Sequence, residues 1–158
     1  MRGVPLDQQT ELLKTCVAVE HTTAEIYSQF AIRFPEESVL WKSLADEEKG
    51  HARLFLMLNC FKHSGQIPVW APDSLPLSQK ALAEVNEIKK RASGQALTHE
   101  QALDIAASLE LSTIESFLNV LISKQAEGEL KQLLSMLLTE GKAHGCRLIE
   151  ARKRTIPA

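Results

Sequence analysis

The stretch LADEEKGH at positions 44–51 returns later in the chain as LLTEGKAH at positions 137–144. Both stretches lie in long segments whose apolar residues recur every three or four positions, the spacing that predicts amphipathic helices. A second pair, EHTTAE at 20–25 and ELSTIE at 110–115, precedes the first pair in each half of the chain. The sequence therefore predicts a helical hairpin that occurs twice, with an approximate two-fold axis between the copies.

Signals that start and stop helices divide the chain further. We predict four long helices and one short one, over about 8–33, 35–63, 99–125, 129–153 and 79–92. Thr98 and Gln101 have the spacing of a capping box for the third long helix. Ser78 is the predicted cap of the short helix, which is polar on most sides.

A connector of residues 64–98 is predicted between the second and third long helices. It contains Pro68, Pro72 and Pro76, which we expect to break both helices and central strands. The other links are short, so each half should form an antiparallel hairpin, while the connector can cross the length of the molecule. The predicted fold is all-α, a four-helix bundle with one long crossover that contains a short extra helix.

Composition agrees with one globular domain. The chain has 158 residues, 44% apolar and 24% charged, with a formal net charge of −2. These values exclude disordered and nucleic-acid-coating classes, so no nucleic-acid partner is expected. Three separated cysteines and the lack of a signal-peptide pattern or an 18-residue apolar run lead us to expect a cytoplasmic protein without a membrane segment.

Ionisable residues lie where the predicted core stripes require apolar ones. The second long helix has the stripe Trp41, Leu44, Glu48, His51, Phe55 and Leu58. The other stripes contain Glu20 in the first helix, Glu110 in the third, and Glu140 with His144 in the fourth. All four helices therefore direct charge toward one level of the core. Glu47 is the alternative inward residue to Glu48, because it also shares a face with His51.

Unpaired buried carboxylates cost several kcal/mol each, and no lysine or arginine falls on these stripes. Two divalent cations would neutralise four carboxylates, and two imidazoles add nitrogen ligands suited to iron or manganese. Glu48 and His51 are three residues apart, so both side chains can reach one metal ion. The pattern predicts a metal site at the centre of the bundle.

This arrangement resembles the ligand set of the ferritin-like di-iron carboxylate proteins, one glutamate from each of two helices and Glu-x-x-His from the other two. The run DEEKGHARL and the duplicated hairpin are most similar to the erythrin domain of rubrerythrins. The resemblance implies metal ligands at Glu20, Glu48, His51, Glu110 and His144. Glu20 and Glu110 would be terminal ligands and Glu48 a bridge. It also places Tyr27 one helical step from the site, where it can hydrogen-bond a ligand.

The fourth helix departs from the family pattern. When His144 is aligned with His51, the position of Glu48 is taken by Gly141. Glu140 is then the carboxylate available for a second bridge, if the helix rotates or unwinds near Gly141. Otherwise one bridging carboxylate is missing and the site is mononuclear, weak or empty. Thr113 also replaces a second glutamate that rubrerythrins tend to have.

The resemblance implies two irons per chain, with manganese or zinc as substitutes, and di-iron oxidoreductase or peroxidase chemistry toward peroxide or dioxygen. Iron handling and hydroxylation of an organic substrate share the same ligand set. Without a rubredoxin-like site, electrons would come from an external donor protein. A homodimer is expected, with residues 133–138 on its interface. The alternative function is a non-catalytic bundle with a degenerate metal site that acts in dimerisation or partner binding.

The remaining polar residues are predicted to have ordinary roles. We expect His21, His63 and His99 at the surface and Glu25 and Glu115 in solvent. Cys16 and Cys146 are predicted to lie beside the core stripes, where a free cysteine is a small apolar filler.

Overall fold

The computed structural model describes residues 6–61, 74–94, 96–110 and 128–155. All regular elements in these ranges are helical: α1 (Leu6–Arg33), a 3-10 turn (Pro35–Glu37), α2 (Ser38–Phe61), α3 (Ser74–Gly94), α4 (His99–Glu110) and α5 (Gly128–Thr155). The predicted all-α class is confirmed for this part of the chain. The predicted third long helix, 99–125, is described only to Glu110, so the rest of its stripe, with Thr113 and Glu115, lies outside the described residues.

Helices α1 and α2 form an antiparallel hairpin. Near the turn between them, the Trp41 ring of α2 packs edge-on against Phe30 of α1, with ring centroids 5.1 Å apart. At the opposite end, Leu13 near the start of α1 shares a hydrophobic cluster with Phe55 and Leu58 near the end of α2. Early residues of one helix therefore contact late residues of the other.

The helix in the connector is longer than predicted and buries one face. It begins at Ser74 rather than near residue 79, and it buries five residues, Ser74, Ser78, Ala81, Val85 and Ala92. Pro76 lies in its first turn, where a missing backbone N–H leaves no helical hydrogen bond unmade. Ser78 does not cap the helix, because its hydroxyl donates to the carbonyl of Leu75 at 2.9 Å inside the first turns. The predicted start and cap were therefore wrong, whereas most of the helix surface is exposed, as its polar sequence predicts.

Helix α3 runs beside α1 in the same direction. Near its start, Leu75 packs against the cluster that contains Leu13. Farther along, Lys89 pairs with Glu25 of α1. Near its end, Arg33 donates to the carbonyl of Ala92 at 3.0 Å. The connector therefore returns the chain along the length of α1.

Helices α4 and α5 also run antiparallel. The predicted capping box is confirmed at the start of α4, where the Thr98 N–H donates to Gln101 Oε1 at 3.0 Å and the Gln101 N–H donates to Thr98 Oγ1 at 3.2 Å. Asp104 early in α4 accepts from Arg152 late in α5 at 2.9 Å. Glu110 farther along α4 lies 3.3 Å from His144, which is earlier in α5.

Two hydrophobic clusters occupy opposite ends of the helix assembly. The larger one includes Trp41, Leu44, Leu103 and Leu148, from α2, α4 and α5. The smaller one joins Leu13 and its neighbours in α1 to the C-terminal part of α2 and to Leu134 and Leu137 of α5. The buried ionisable residues of α2 and α5 come from positions between those that form the two clusters, and Glu20 of α1 directly follows Val19 of the larger cluster. A polar layer therefore crosses the middle of the core.

The predicted stripe of α2 is confirmed along its whole length, because its six residues are each at most 5% exposed. In α5, Leu137, His144 and Leu148 are buried as predicted, whereas the Glu140 side chain is 45% exposed. In the run 133–138, Met136 is 41% exposed and Leu134 is buried. The described helices include no segment long and apolar enough to cross a membrane.

Candidate metal centre

The predicted ligand residues meet between the two hydrophobic clusters. Glu20 on α1, Glu48 and His51 on α2, and His144 on α5 are all at most 5% exposed. The Glu110 side chain at the end of the described part of α4 is 8% exposed. Helical spacing explains the arrangement, since each of these residues occupies a core-facing position of its helix.

Glu48 lies between the two histidine rings. Its Oε2 is 3.1 Å from Nδ1 of His51, and its Oε1 is 3.0 Å from Nδ1 of His144. The rings stack nearly parallel, with centroids 5.1 Å apart and planes 16° from each other. A terminal carboxylate completes each side: Glu20 is 3.9 Å from Nδ1 of His51, and Glu110 is 3.3 Å from Nδ1 of His144. Both Nδ1 atoms therefore face the same group of carboxylates.

The opposite ring nitrogens bind glutamates of the other hairpin. Nε2 of His51 on α2 is 2.9 Å from Glu140 on α5, and Nε2 of His144 on α5 is 2.8 Å from Glu47 on α2. Glu47 and Glu140 occupy matching positions of the repeated stretches, as do the two histidines. The duplication thus produces a reciprocal exchange, in which each histidine contacts the glutamate of the other copy.

Glu47 has further partners that Glu140 lacks within the described residues. Arg147 donates to both of its carboxylate oxygens, at 2.9 and 2.5 Å. Ser43 donates to the same carboxylate at 2.6 Å. Arg147 and Ser43 thereby lower the pKa of Glu47 to about 2, although partial burial acts in the opposite direction. Glu47 is a fixed, ionised acceptor for His144.

Tyr27 holds the terminal carboxylate on the His144 side. Its buried hydroxyl donates to Glu110 Oε1 at 2.6 Å. Burial, together with the neighbouring carboxylates, raises the pKa of Tyr27 well above its usual value, so the hydroxyl keeps its proton for this bond. The position matches the expectation that Tyr27 hydrogen-bonds a residue of the site.

Without metal, the cluster is compensated by protonated imidazoles. Burial disfavours the charged form of His144, but hydrogen bonds to Glu110 and Glu48 outweigh this effect and raise its pKa to about 10. His51 also has a raised pKa, because its contact with Glu48 overcomes burial. Burial would raise the pKa of Glu48, yet hydrogen bonds from His144 and His51 lower it well below its usual range. Glu48 is therefore the shared counter-ion of both rings.

The two terminal carboxyls behave differently from Glu48. Burial and the nearby charge of Glu48 raise the pKa of Glu20 well above its usual value. Burial also raises the pKa of Glu110, although its hydrogen bonds to His144 and Tyr27 act against the change. The metal-free centre thus contains more carboxyl groups than its cations neutralise, and protons make up the difference.

The donor set suits a divalent transition metal. Glu48, His51 and His144 each offer a ligand atom, and these atoms lie within 4.8 Å of one another. Two imidazole nitrogens with carboxylate oxygens are donors typical of iron, manganese and zinc. The carboxylates at each Nε2 would keep the ring proton on that side and leave Nδ1 free to bind a metal. The residues present therefore fit such an ion.

Glu140 does not occupy the predicted bridging position. It contacts Nε2 of His51, the ring nitrogen that faces away from Glu48, so it orients the ring instead of joining the inner carboxylates. Gly141, the counterpart of Glu48, continues the helix, and a Cβ atom there would meet no atom within 4 Å among the described residues. Within the described part of the chain, Glu48 is the one carboxylate that bridges the two rings.

Other predictions have mixed outcomes. His21 and Glu25 are exposed as expected, whereas His99 packs against Phe34 with ring centroids 5.1 Å apart. Cys16 is buried and Cys146 is exposed, so Cys146 was wrongly predicted beside the core. His63 lies outside the described residues. The sequence reasoning also missed the roles of Ser43 and Arg147, and the spacing of Ser43 and Glu47 by one helical turn was the available signal.

No protein-family model matches the chain, and no curated protein or solved structure gives a significant match. The resemblance to ferritin-like proteins therefore depends on the residues of the chain and on their arrangement.

Proposed function

We propose that this chain is a ferritin-like, rubrerythrin-type bundle that binds two metal ions, with iron as the natural metal, and acts in redox chemistry toward peroxide or dioxygen. One observation carries the proposal: both Nδ1 atoms face Glu48, and each also faces a terminal carboxylate. One cation would be bound by His51, Glu48 and Glu20. The other would be bound by His144, Glu48 and Glu110.

The direction of the helices supports this family. Contacts give α1 and α5 one direction and α2 and α4 the other, with a long connection between α2 and α4. Ferritin-like bundles have one such crossover between two antiparallel hairpins.

Bound iron would supply the electron-transfer step toward the oxidant. The chain itself supplies position and environment. Glu47 and Glu140 fix the two rings through Nε2, and Tyr27 fixes Glu110. The hydrophobic clusters on both sides exclude water from the centre. An external protein as electron donor and a homodimeric assembly belong to the same proposal.

A non-catalytic bundle is the second candidate, and Gly141 favours it. With glycine at that position the second bridging carboxylate is missing, and the imidazoles already neutralise Glu48 without a metal. Such a protein would use its surface for dimerisation or partner binding.

Metal content separates the two functions. The protein is purified without added metal, loaded anaerobically with Fe(II), desalted and analysed for iron, and its oxidised visible spectrum is recorded. The di-iron function predicts about two irons per chain and an oxo-bridge absorption, both lost in Glu48→Gln. Catalysed consumption of hydrogen peroxide is then the activity assay. A chain that holds no iron after loading supports the non-catalytic function.

A further inference from the structure

We propose that the two halves of this centre bind cations unequally, with the His144 half filled first and more tightly than the His51 half. This inference rests on the proposed function and goes beyond it by assigning an order of binding. Each half has its own histidine and terminal glutamate, and both share Glu48. The difference lies in what holds those ligands in place.

The terminal glutamates are supported unequally. Glu110 accepts a hydrogen bond from Tyr27 at 2.6 Å and is 3.3 Å from its histidine. Glu20 is 3.9 Å from its histidine and hydrogen-bonds to Glu48, another ligand of the site. In the repeat, the residue that matches Tyr27 is Phe117, which has no hydroxyl to donate.

The glutamates behind the rings are also supported unequally. Glu47, behind His144, is clamped by Arg147 and Ser43, and its side chain is 36% exposed. Glu140, behind His51, has a side chain 45% exposed, and His51 is its one hydrogen-bond partner among the described residues. The repeat positions that match Arg147 and Ser43 hold Leu54 and Met136, whose side chains cannot donate hydrogen bonds.

Both differences act in the same direction. Ligands that are already held in one geometry lose less freedom when a cation binds, so affinity rises. Groups that orient a metal ligand typically change metal affinity by about 10–100-fold. The His144 half has two such supports, one on Glu110 and one on Glu47. We therefore expect its dissociation constant to be at least about tenfold below that of the His51 half.

The test is a titration of the metal-free, full-length chain with Co(II) under anaerobic conditions. Heat by calorimetry gives the number of binding steps and their dissociation constants. The visible absorption of Co(II) reports the ligand environment at each step. Wild type should show two separate steps. This readout requires no catalytic activity.

Two variants copy residues from the other half. Tyr27→Phe removes the hydroxyl that holds Glu110, and Arg147→Leu removes the clamp on Glu47. Each should weaken the first step by about tenfold or more and leave the second unchanged. Glu140→Gln is the mirror variant and should weaken the second step alone. Arg152→Leu, on the same helix but paired with Asp104 away from the site, is the matched control and should change neither.

Each outcome decides the inference. Two steps of equal affinity would overturn the unequal order and leave the two-metal proposal intact. If Glu140→Gln weakens the first step, and Tyr27→Phe and Arg147→Leu leave that step unchanged, then the His51 half fills first. This result would also overturn the inference. A single step supports the inference if Tyr27→Phe and Arg147→Leu weaken it, and contradicts it if they do not. Absence of binding would refute the proposed function itself. Circular dichroism confirms that each variant is folded.

Discussion

Replacing Glu48 with glutamine gives the most direct test of how this core is neutralised. Glu48 is 3% exposed, and its carboxylate contacts both histidines. If it were a buried charge without compensation, its neutralisation would stabilise the metal-free protein. If it is the counter-ion of two imidazolium rings, the same change must destabilise the protein. The sign of the effect therefore distinguishes the two cases.

The contact geometry sets the magnitude. Glu48 accepts hydrogen bonds at 3.0 and 3.1 Å, one from each ring. A hydrogen bond to a charged group contributes about 1.5–3 kcal/mol, against about 0.5–1.5 kcal/mol for a neutral one. Loss of the charge at both contacts should lower the free energy of unfolding by about 2–3 kcal/mol. In a domain of this length, that corresponds to about 4–12 °C in Tm.

Thermal and urea unfolding of the chelator-treated protein measure this change. Glu25→Gln is the matched control: Glu25 is an exposed glutamate paired with Lys89, and its removal should change stability by less than about 1 kcal/mol. Addition of Co(II) should raise the Tm of the wild type and of the control. The increase in the Tm of Glu48→Gln should be much smaller. A metal-free Glu48→Gln protein as stable as wild type, or more stable, would refute the counter-ion role.

Three further predictions concern pH, helix propensity and capping. The pKa of His144 is raised from 6.5 to about 10 in the folded chain, so its contribution to metal-free stability is complete below pH 6.5 and is lost as pH rises toward 10. Urea unfolding between pH 6 and 10 should show this decline, and His144→Gln should flatten it. Gly141→Ala should stabilise the chain by about 0.5–1 kcal/mol in urea unfolding, because the new Cβ meets open space within a helix. Thr98→Ala should lower the free energy of unfolding by about 1 kcal/mol in urea unfolding, because the capping box at the start of α4 is lost.

Periodicity and capping predicted most of the described helices, because those signals are local. The stripe of α2 was predicted residue by residue, since six positions at helical spacing leave one orientation for the helix. The start of α3 was missed for a physical reason. A proline in the interior of a helix would end it, but Pro76 lies in the first turn, where it is compatible with helical geometry.

The site was predicted at the level of which residues meet, but not of which atoms meet. Sequence spacing cannot distinguish the two nitrogens of a histidine ring. The glutamates differ in this respect, because Glu48 contacts Nδ1 whereas Glu47 and Glu140 contact Nε2. Both sequence alternatives for the inward residue of α2 have a role: Glu48 lies at Nδ1 of both rings, and Glu47 lies at Nε2 of His144. Arg147 was missed because its partner is on another helix.

The reciprocal pairing also determines how α2 and α5 align. A slide of one helix along the other by one turn, about 5.4 Å, would break the contacts of both histidines with the opposite helix at once. Hydrophobic residues alone would tolerate such a shift more easily, because their contacts are not directional. Gly141 adds to this effect, since a second bridging glutamate would place another negative charge beside Glu48 in the metal-free chain. With one shared carboxylate, two imidazoles suffice to neutralise it, so the helices can reach their alignment before any metal binds.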